Sequence, residues 1–270
     1  MKKMRIASVI LLLVSIGIFT IFQIYSKMVQ DNESPKVTCE TQELTVSVAA
    51  TEKELMQGVS AVDNRSGDVS DTLVIESLSD FTEEGKRIAT YAAVDESMNV
   101  GRCERTIVYE DYQAPVFQMS EPLSYPIGQS VNVLAGITAS SVLDGDLTSK
   151  IKYSIESSVD TSTPGNYPVE FSVMDSAGKI VYLSTQIEIY EREYSGIEVN
   201  LTDYLVYVKQ GSKFNAQKYY AGSSYDGSDY EEELTIESNV NTKEPGSYYV
   251  DYIVDGFGTS GKTRLVVVVQ

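Results

Sequence analysis

The sequence predicts an all-β protein in which three tandem β-sandwich domains follow an N-terminal transmembrane helix. Three observations predict this organisation. A motif of the form Ile-Glu-Ser followed by a glycine occurs three times, at a spacing of about 80 residues that fits a small all-β domain. Apolar residues alternate with polar ones after each of these glycines, as in a strand with one buried face. A long apolar segment without charges precedes the first copy.

The three copies of the motif begin at Ile75, Ile155 and Ile236, and each reaches its glycine ten residues further on. The alternating positions after the glycines are Ala89, Tyr91 and Ala93 in the first copy, Val169, Phe171 and Val173 in the second, and Val250, Tyr252 and Val254 in the third. The central residues of these triplets are expected to occupy equivalent buried positions, because a shift by one residue would turn every side chain to the other face.

The repeat divides the chain into segments with predicted boundaries. These are residues 1–5 as a cytoplasmic tip, 6–26 as a transmembrane anchor, 27–34 as a polar linker, and 35–111, 112–193 and 194–270 as three domains. Each domain is expected to have its own core and therefore to unfold independently. The last strand, Leu265–Val269, is a continuous apolar run, which is typical of a strand that is covered on both faces.

The N-terminal segment from Ile6 to Ser26 contains no charged residue. As a helix it would span about 31 Å, close to the hydrocarbon thickness of a bilayer. Lys2, Lys3 and Arg5 precede it, so the positive-inside rule predicts a single-pass protein of the cell membrane with a cytoplasmic N-terminus and extracellular domains. A cleaved signal peptide is the alternative. The length of the apolar run, and the lack of small residues at its end, favour the anchor.

The charge of the chain excludes one class of partner. The formal net charge is −18, and removing the three positive charges of Lys2, Lys3 and Arg5 leaves −21 for the rest. Binding to phosphates requires clustered lysine and arginine, and a surface this acidic repels them. The sequence therefore predicts no nucleic-acid partner, and an acidic surface that keeps the protein soluble outside a cell.

The composition predicts a protein that is not an enzyme and holds no cofactor. Histidine is absent, which removes the commonest general base near neutral pH and the commonest zinc ligand. Two runs of glutamate, Glu83–Glu84 and Glu231–Glu233, offer paired carboxylates of the kind that glycosidases use. Such runs more often lie in solvent at strand edges, where they discourage pairing between sheets. No metal site is predicted from them.

Four motifs of the second repeat resemble a known family. They are Gly136–Ala139, Asp144–Thr148, Thr163–Tyr167 and Asp175–Gly178. Together they are similar to the bacterial immunoglobulin-like surface repeat, which occurs in tandem in secreted and cell-surface proteins and in some insecticidal crystal toxins. The resemblance implies three tandem immunoglobulin-like β-sandwiches in an extracytoplasmic setting, and it implies no activity. The first repeat departs from the pattern because Met98 replaces the glycine of the last turn.

The acidic turn of the second repeat allows two interpretations. Asp144 and Asp146, together with Asp175, offer carboxylates that are suited to calcium. Calcium requires six or more oxygen ligands, and the first and third repeats lack the full set. Alternatively, these side chains accept hydrogen bonds from backbone N–H groups two or three residues further on and fix the turn. The sequence leaves the choice between them open.

Tyrosine is abundant, and four tyrosines crowd the third repeat: Tyr219, Tyr220, Tyr225 and Tyr230. Exposed tyrosines stack on sugars or anchor protein partners. The sequence thus predicts a membrane-anchored extracellular rod that acts as a non-catalytic structural, adhesion or interaction module, with the membrane and an unidentified protein or cell-surface glycan as partners. The alternative is a glycan-binding surface module that uses these four tyrosines.

The two cysteines of the chain predict a disulfide. Cys39 and Cys103 both fall in the first repeat, outside the membrane, where oxidation is possible. Cys103 lies eight residues after Asp95, as Leu183 lies eight residues after Asp175 on the inward face of its strand. A bridge of this span stabilises a domain by roughly 4 kcal/mol in the loop-entropy model. Two free buried thiols are the alternative.

Overall fold

The computed structural model describes residues 2–29, 31–156, 158–191, 196–230, 233–256 and 258–270. A helix, α1 (Lys2–Val29), precedes three β-sandwich repeats. The chain separates into two compact units, residues 1–111 and residues 112–270. The first unit contains α1 and the first repeat, and the second unit contains the second and third repeats.

Helix α1 contains one segment, Ile6–Tyr25, that is long and apolar enough to cross a membrane, and this segment is not buried against the rest of the chain. A signal sequence near an N-terminus has the same properties, so both readings of the segment fit. The side chains of residues 1–5 and 26–30, which include the predicted cytoplasmic tip and part of the predicted linker, lie outside the described residues.

The first repeat forms two packed sheets. Its elements are β1 (Lys36–Cys39), β2 (Glu43–Val46), helix α2 (Glu52–Leu55), β3 (Val59–Asp63), β4 (Gly67–Asp68), β5 (Val74–Leu78), β6 (Lys86–Val94) and β7 (Val100–Tyr109). One sheet has the strand order β1-β3-β4 and the other β2-β7-β6-β5. The pair β2–β7 is parallel and the remaining pairs are antiparallel. The chain thus passes from one sheet to the other between β1 and β2.

The second and third repeats have the same strand order. The second contains β8 (Val116–Met119), β9 (Ser124–Pro126), β10 (Ile137–Ser141), β11 (Gly145–Asp146), β12 (Lys152–Ile155), β13 (Gly165–Met174) and β14 (Ile180–Tyr190). The third contains β15 (Glu198–Leu201), β16 (Leu205–Val208), β17 (Tyr220–Tyr225), β18 (Ser228–Asp229), β19 (Leu234–Ser238), β20 (Gly246–Gly256) and β21 (Thr259–Val269). Their sheets are β11-β10-β8 with β12-β13-β14-β9, and β15-β17-β18 with β16-β21-β20-β19. The prediction of three β-sandwiches after an N-terminal apolar helix is confirmed.

The predicted register is also confirmed at the centre of each core. Tyr91, Phe171 and Tyr252 are each 0% exposed. The two tyrosines also satisfy their hydroxyl groups, which donate to the backbone oxygens of Leu55 at 2.6 Å and Ala216 at 2.7 Å. Because a slip of one residue would expose all three rings, their burial fixes the face of β6, β13 and β20 that packs inward.

The hairpin that joins the last two strands of each repeat needs a residue with positive φ. Gly178 and Gly258 hold this position in the second and third repeats, with φ of 81° and 78°. Met98 holds it in the first repeat with φ of 68°. A side chain makes this conformation unfavourable, so the first repeat carries a small local strain that the other two avoid.

The predicted disulfide is present. Cys39 on β1 is bonded to Cys103 on β7, with the two Cα atoms 6.6 Å apart. Because β1 and β7 belong to different sheets, the bond links the two halves of the first sandwich. Cys103 lies opposite Tyr91 in the β6–β7 ladder, and Ala89 and Ala93 on the same strand as Tyr91 are also buried.

Strand β21 is covered on both faces, as the continuous apolar run predicts. Leu265, Val267 and Val269 face the core of the third repeat. Val266, from the opposite face, belongs with Leu205 of β16 to the core of the second repeat. Val266 is 1% exposed and Val267 is 0% exposed. The third repeat therefore uses the outer face of one sheet to pack against the second repeat.

Candidate functional site

The four tyrosines of the predicted ligand site do not share an exposed face. Tyr219, Tyr220 and Tyr230 are half-buried against the core of the third repeat. The ring of Tyr219 stacks on Phe214, with 5.8 Å between the centroids. Tyr225 is 38% exposed and contacts the ring of Tyr230 at 6.2 Å. A glycan or protein site at these tyrosines stays a prediction, and Tyr225 is the ring that such a partner would meet first.

The acidic turn of the second repeat uses its carboxylates to hold the backbone. Asp146 accepts a hydrogen bond from the N–H of Thr148 at 2.9 Å, and Asp144 accepts one from a backbone N–H of the β13–β14 turn at 2.8 Å. Asp175 accepts from the hydroxyl of Tyr112 at 2.6 Å and from backbone N–H groups of its own turn. Hydrogen bonds from Thr148 lower the pKa of Asp146. This arrangement supports the structural interpretation of the turn over calcium binding.

The glutamate runs give no convergent pair among the residues that the structure describes. Glu83 forms an ion pair with Lys86 at 3.1 Å, and both side chains are exposed to solvent. Glu231 and Glu232 lie outside the described residues. The absence of enzymatic activity stays a prediction.

A cluster of four charged side chains lies between the second and third repeats. Arg264 of β21 pairs with Asp251 of β20 at 2.6 Å and with Glu188 of β14 at 2.7 Å. Lys262 of β21 pairs with the same two carboxylates, at 3.1 Å and 2.6 Å. The four side chains are only 7–14% exposed. Two positive and two negative charges balance, so the cluster has no net charge.

The pKa values of Asp251, Lys262 and Arg264 move in the direction that keeps these three groups charged. Burial alone raises the pKa of Asp251, but the hydrogen bonds and charges of Arg264 and Lys262 outweigh burial and lower it. Burial alone lowers the pKa of Lys262, but Glu188 and Asp251 outweigh burial and raise it. Arg264 behaves like Lys262, and its pKa is raised. The cluster therefore depends on having all four partners present.

An apolar contact and a further hydrogen bond continue the interface on either side of the charges. Tyr204, Tyr249 and Val268 of the third repeat pack in part against the core of the second. Arg264 also donates to the side-chain oxygen of Asn166 at 2.6 Å, and its guanidinium lies 5.1 Å from the centre of the Tyr249 ring. The two repeats are thus joined by an apolar centre beside a buried, neutral ionic cluster.

A second cluster of charged residues lies in the first repeat and consists only of carboxylates. Asp31, Asp63 and Asp95 each offer one oxygen, and these oxygens all lie within 4.8 Å of one another. The three residues are 7%, 4% and 4% exposed. Hydrogen bonds from the backbone N–H groups of Ser66 and Arg65 lower the pKa of Asp63.

The sequence analysis missed this second cluster. Asp31 falls in the predicted linker of residues 27–34, and no sequence pattern predicted that it would lie beside Asp63 and Asp95. The signal that would have found it is a difference between repeats. Asp63 aligns with Ser141 when the Gly58 and Gly136 turns are superposed, so the first repeat has a carboxylate at a position where the second has a hydroxyl.

Comparison with known proteins supports the resemblance over part of the chain. The family model described as "Bacterial surface protein, Ig-like domain" matches residues 119–189. The second repeat is therefore similar to bacterial surface Ig-like domains, and the predicted resemblance is confirmed there. Together with the N-terminal apolar helix, the match indicates a surface or secreted protein.

Two curated relatives are similar to the chain. Pesticidal crystal protein Cry22Aa of Bacillus thuringiensis is 26% identical over 247 residues, which cover 87% of this chain and 33% of the relative. An uncharacterized 81.3 kDa protein of Acholeplasma phage L2 is 30% identical over 117 residues, which cover 40% of this chain and 16% of the relative. The chain thus spans a third or less of the length of these relatives, and the similarity to the toxin is distant.

Solved structures with similar regions have low overall similarity. Domains CBM51-2 and INT of Clostridium perfringens ZmpB match with a TM-score of 0.23 and 15% identity, over 56% of this chain and 26% of that one. The protocadherin GammaB4 extracellular domain matches with a TM-score of 0.23 and 12% identity, over 88% of this chain and 50% of that one. TM-scores this low support no statement about function.

Proposed function

We propose that this chain is a non-catalytic structural and interaction module of a bacterial surface, in which the second and third repeats act as one rigid two-domain unit. The observation that carries the proposal is the burial of β21 on both faces. Leu265 and Val267 belong to the core of the third repeat, and Val266 belongs to the core of the second. One strand thus takes part in two cores.

Rigidity follows from the chemistry of this interface. Tandem domains usually move relative to each other, unless they share a large and apolar contact. Here an apolar contact surrounds Val266 and Leu205, and the adjacent charges are desolvated. Opening the interface would expose Val266 and Leu205 to water and separate Arg264 from Glu188. A rigid pair presents its outer surfaces at a fixed spacing, which suits a structural or adhesive role better than catalysis at a flexible cleft.

The rigid unit can be tested by measuring a distance between spin labels. Cysteines are introduced at Lys152 in the second repeat and at Asp229 in the third, both of which are exposed. The native disulfide keeps Cys39 and Cys103 from reacting with the label. In the full chain in detergent micelles, we expect one narrow distance distribution. A broad distribution, of the kind that a flexible connection produces, would overturn the proposal.

The proposal also assigns helix α1 to the membrane as an uncleaved anchor. Its support is the uncharged segment Ile6–Tyr25, which is not buried, and the basic residues that precede it. The assignment predicts that protein isolated from a bacterial membrane keeps its N-terminal residues and resists extraction with alkaline carbonate. A mature protein that begins after Ser26 would show instead that the segment is a signal sequence.

A further inference from the structure

We propose that Asp31, Asp63 and Asp95 bind a calcium ion at one end of the first repeat. The three carboxylates come from distant parts of the chain: Asp31 follows helix α1, Asp63 ends β3, and Asp95 begins the turn between β6 and β7. All three are more than nine-tenths buried. The fold therefore brings three acidic groups out of water and places them together.

Two of these carboxylates are incompletely satisfied. One oxygen of Asp31 accepts from the N–H of Glu33 at 3.0 Å, and one oxygen of Asp63 accepts from the N–H groups of Arg65 and Ser66 at 2.8 Å and 2.6 Å. The second oxygen of each is buried and has no hydrogen-bond partner among the described residues. Buried carboxylate oxygens require a compensating partner. The Asp31 oxygen lies 3.9 Å from the Nε of Arg65, so the Asp63 oxygen is the observation, independent of the acidic cluster, that points to a missing positive ligand.

The charges of the protein itself do not balance the cluster. The guanidinium of Arg65 lies 3.9 Å from Asp31, and the Arg65 side chain is 50% exposed to solvent. Asn99 donates to Asp95 from its backbone and its side chain, both at 2.8 Å, but it carries no charge. Among the described residues, three negative charges thus face one positive charge, that of the half-exposed Arg65. This contrasts with the cluster between the second and third repeats, which is neutral without any ion.

The geometry and the ligand type favour calcium over other metal ions. Calcium binds oxygen at 2.3–2.6 Å, so two oxygens on the same ion lie at most about 4.6–5.2 Å apart. The three carboxylate oxygens, all within 4.8 Å, meet this limit as they stand. The chain has no histidine, and both cysteines are in the disulfide, so the nitrogen and sulfur ligands that zinc prefers are missing. Magnesium demands a smaller octahedral site and keeps most of its waters.

The second repeat shows how the same position is satisfied without a metal. Ser141 replaces Asp63 in the aligned hairpin, and the hydroxyl of Tyr112 donates to Asp175, which aligns with Asp95. The Asp175 carboxylate, which accepts a hydrogen bond from the neutral Tyr112 hydroxyl, needs no cation. Calcium in the first repeat would therefore be specific to that repeat, and it would fasten the segment that follows helix α1 onto the sandwich through Asp31.

The test is a thermal unfolding experiment on the full chain in detergent micelles, after removal of metal with a chelator. Calcium sites of extracellular modules have Kd values of about 10⁻⁴–10⁻³ M. With calcium chloride at about 10 mM, linkage predicts that the Tm of the first repeat rises by about 5–20 °C. Magnesium chloride at the same concentration is expected to have a much smaller effect. An equal response to magnesium, or no response to calcium, would overturn the proposal.

Two variants locate the ion. Asp63→Asn keeps an oxygen that can accept the N–H groups of Arg65 and Ser66 but removes the charge, so we expect it to abolish the calcium response. Asp146→Asn, in the acidic turn of the second repeat, is the matched control and should keep the full response. Circular dichroism confirms that each variant is folded, and Asp95→Asn replaces Asp63→Asn if the latter does not fold. A calcium response that survives loss of the Asp63 or Asp95 charge would contradict the site.

Discussion

Replacement of Arg264 by methionine tests how much the buried ionic cluster contributes to the second unit. Arg264 forms two bonds to Asp251, at 2.6 Å and 2.8 Å, and one to Glu188 at 2.7 Å. Methionine keeps most of the length of the side chain and removes the charge. Among the described residues, the substitution leaves Glu188 and Asp251 with Lys262 as their one nearby cation, so a buried negative charge remains without a partner.

The expected loss of stability is about 3–5 kcal/mol, the usual cost of removing one partner from a buried ion pair. In a unit of 150–250 residues, each kcal/mol changes the Tm by roughly 2–4 °C. The Tm of the second unit is therefore expected to fall by about 6–20 °C. Since the four side chains are almost fully buried, salt should screen the effect only weakly.

Calorimetry of the full chain in detergent measures this loss, and two comparisons interpret it. Arg102→Met removes an ion pair with Glu76 that lies on the exposed surface of the first repeat, and it should leave the Tm nearly unchanged. The double variant Arg264→Met with Asp251→Asn removes a balanced pair, and we expect it to be more stable than the sum of the two single losses predicts. Strictly additive losses, or equal effects of Arg264→Met and Arg102→Met, would refute the reasoning.

Three further predictions concern the cores, the disulfide and pH. Phe171→Ala should reduce the free energy of unfolding by about 3–5 kcal/mol and lower the Tm of a single calorimetric transition that the second and third repeats share. A separate transition of the third repeat with an unchanged Tm would contradict this coupling. Replacing Cys39 and Cys103 by alanine should destabilise the first repeat by roughly 4 kcal/mol without changing the second unit, as chemical denaturation would show. The pKa of Asp251 is lower in the folded chain than in the unfolded chain. Its contribution to the free energy of unfolding is therefore fully present above the unfolded pKa of about 3.9, and it is lost as the pH falls through the folded pKa. As the pH is lowered, the Tm of the Asp251→Asn variant should therefore fall less than the Tm of the unmodified chain. If the two plots of Tm against pH were parallel, Asp251 would not be the group responsible.

The sequence by itself determined the fold of each repeat, because the signals involved are local. Alternation along a strand has a period of two residues, and it was enough to place Tyr91, Phe171 and Tyr252 at buried positions. Alignment of the repeats then placed Cys39 and Cys103 on facing strands without any knowledge of the third dimension. The apolar run at Leu265–Val269 even indicated that both faces of β21 would be covered.

Only the tertiary structure decided what covers the second face of β21. A continuous apolar strand reports that water is excluded from both sides, but it carries no information about the partner surface. The partner is the core of the second repeat, against which Val266 and the neighbouring Leu205 of β16 pack, and this contact forms only after both sandwiches have folded. The same applies to the tyrosines, since their number in the third repeat does not reveal which rings pack inward.

The charged clusters also depended on tertiary structure, for an electrostatic reason. The sequence shows Glu188, Asp251 and Arg264 as ordinary charged residues in strands, and Asp31, Asp63 and Asp95 as ordinary polar residues in linkers and turns. What distinguishes them is that folding removes them from water and sets their mutual distances, and desolvation and distance govern the energy of a charge. Both quantities arise from contacts between residues far apart in the chain, so no local pattern in the sequence records them.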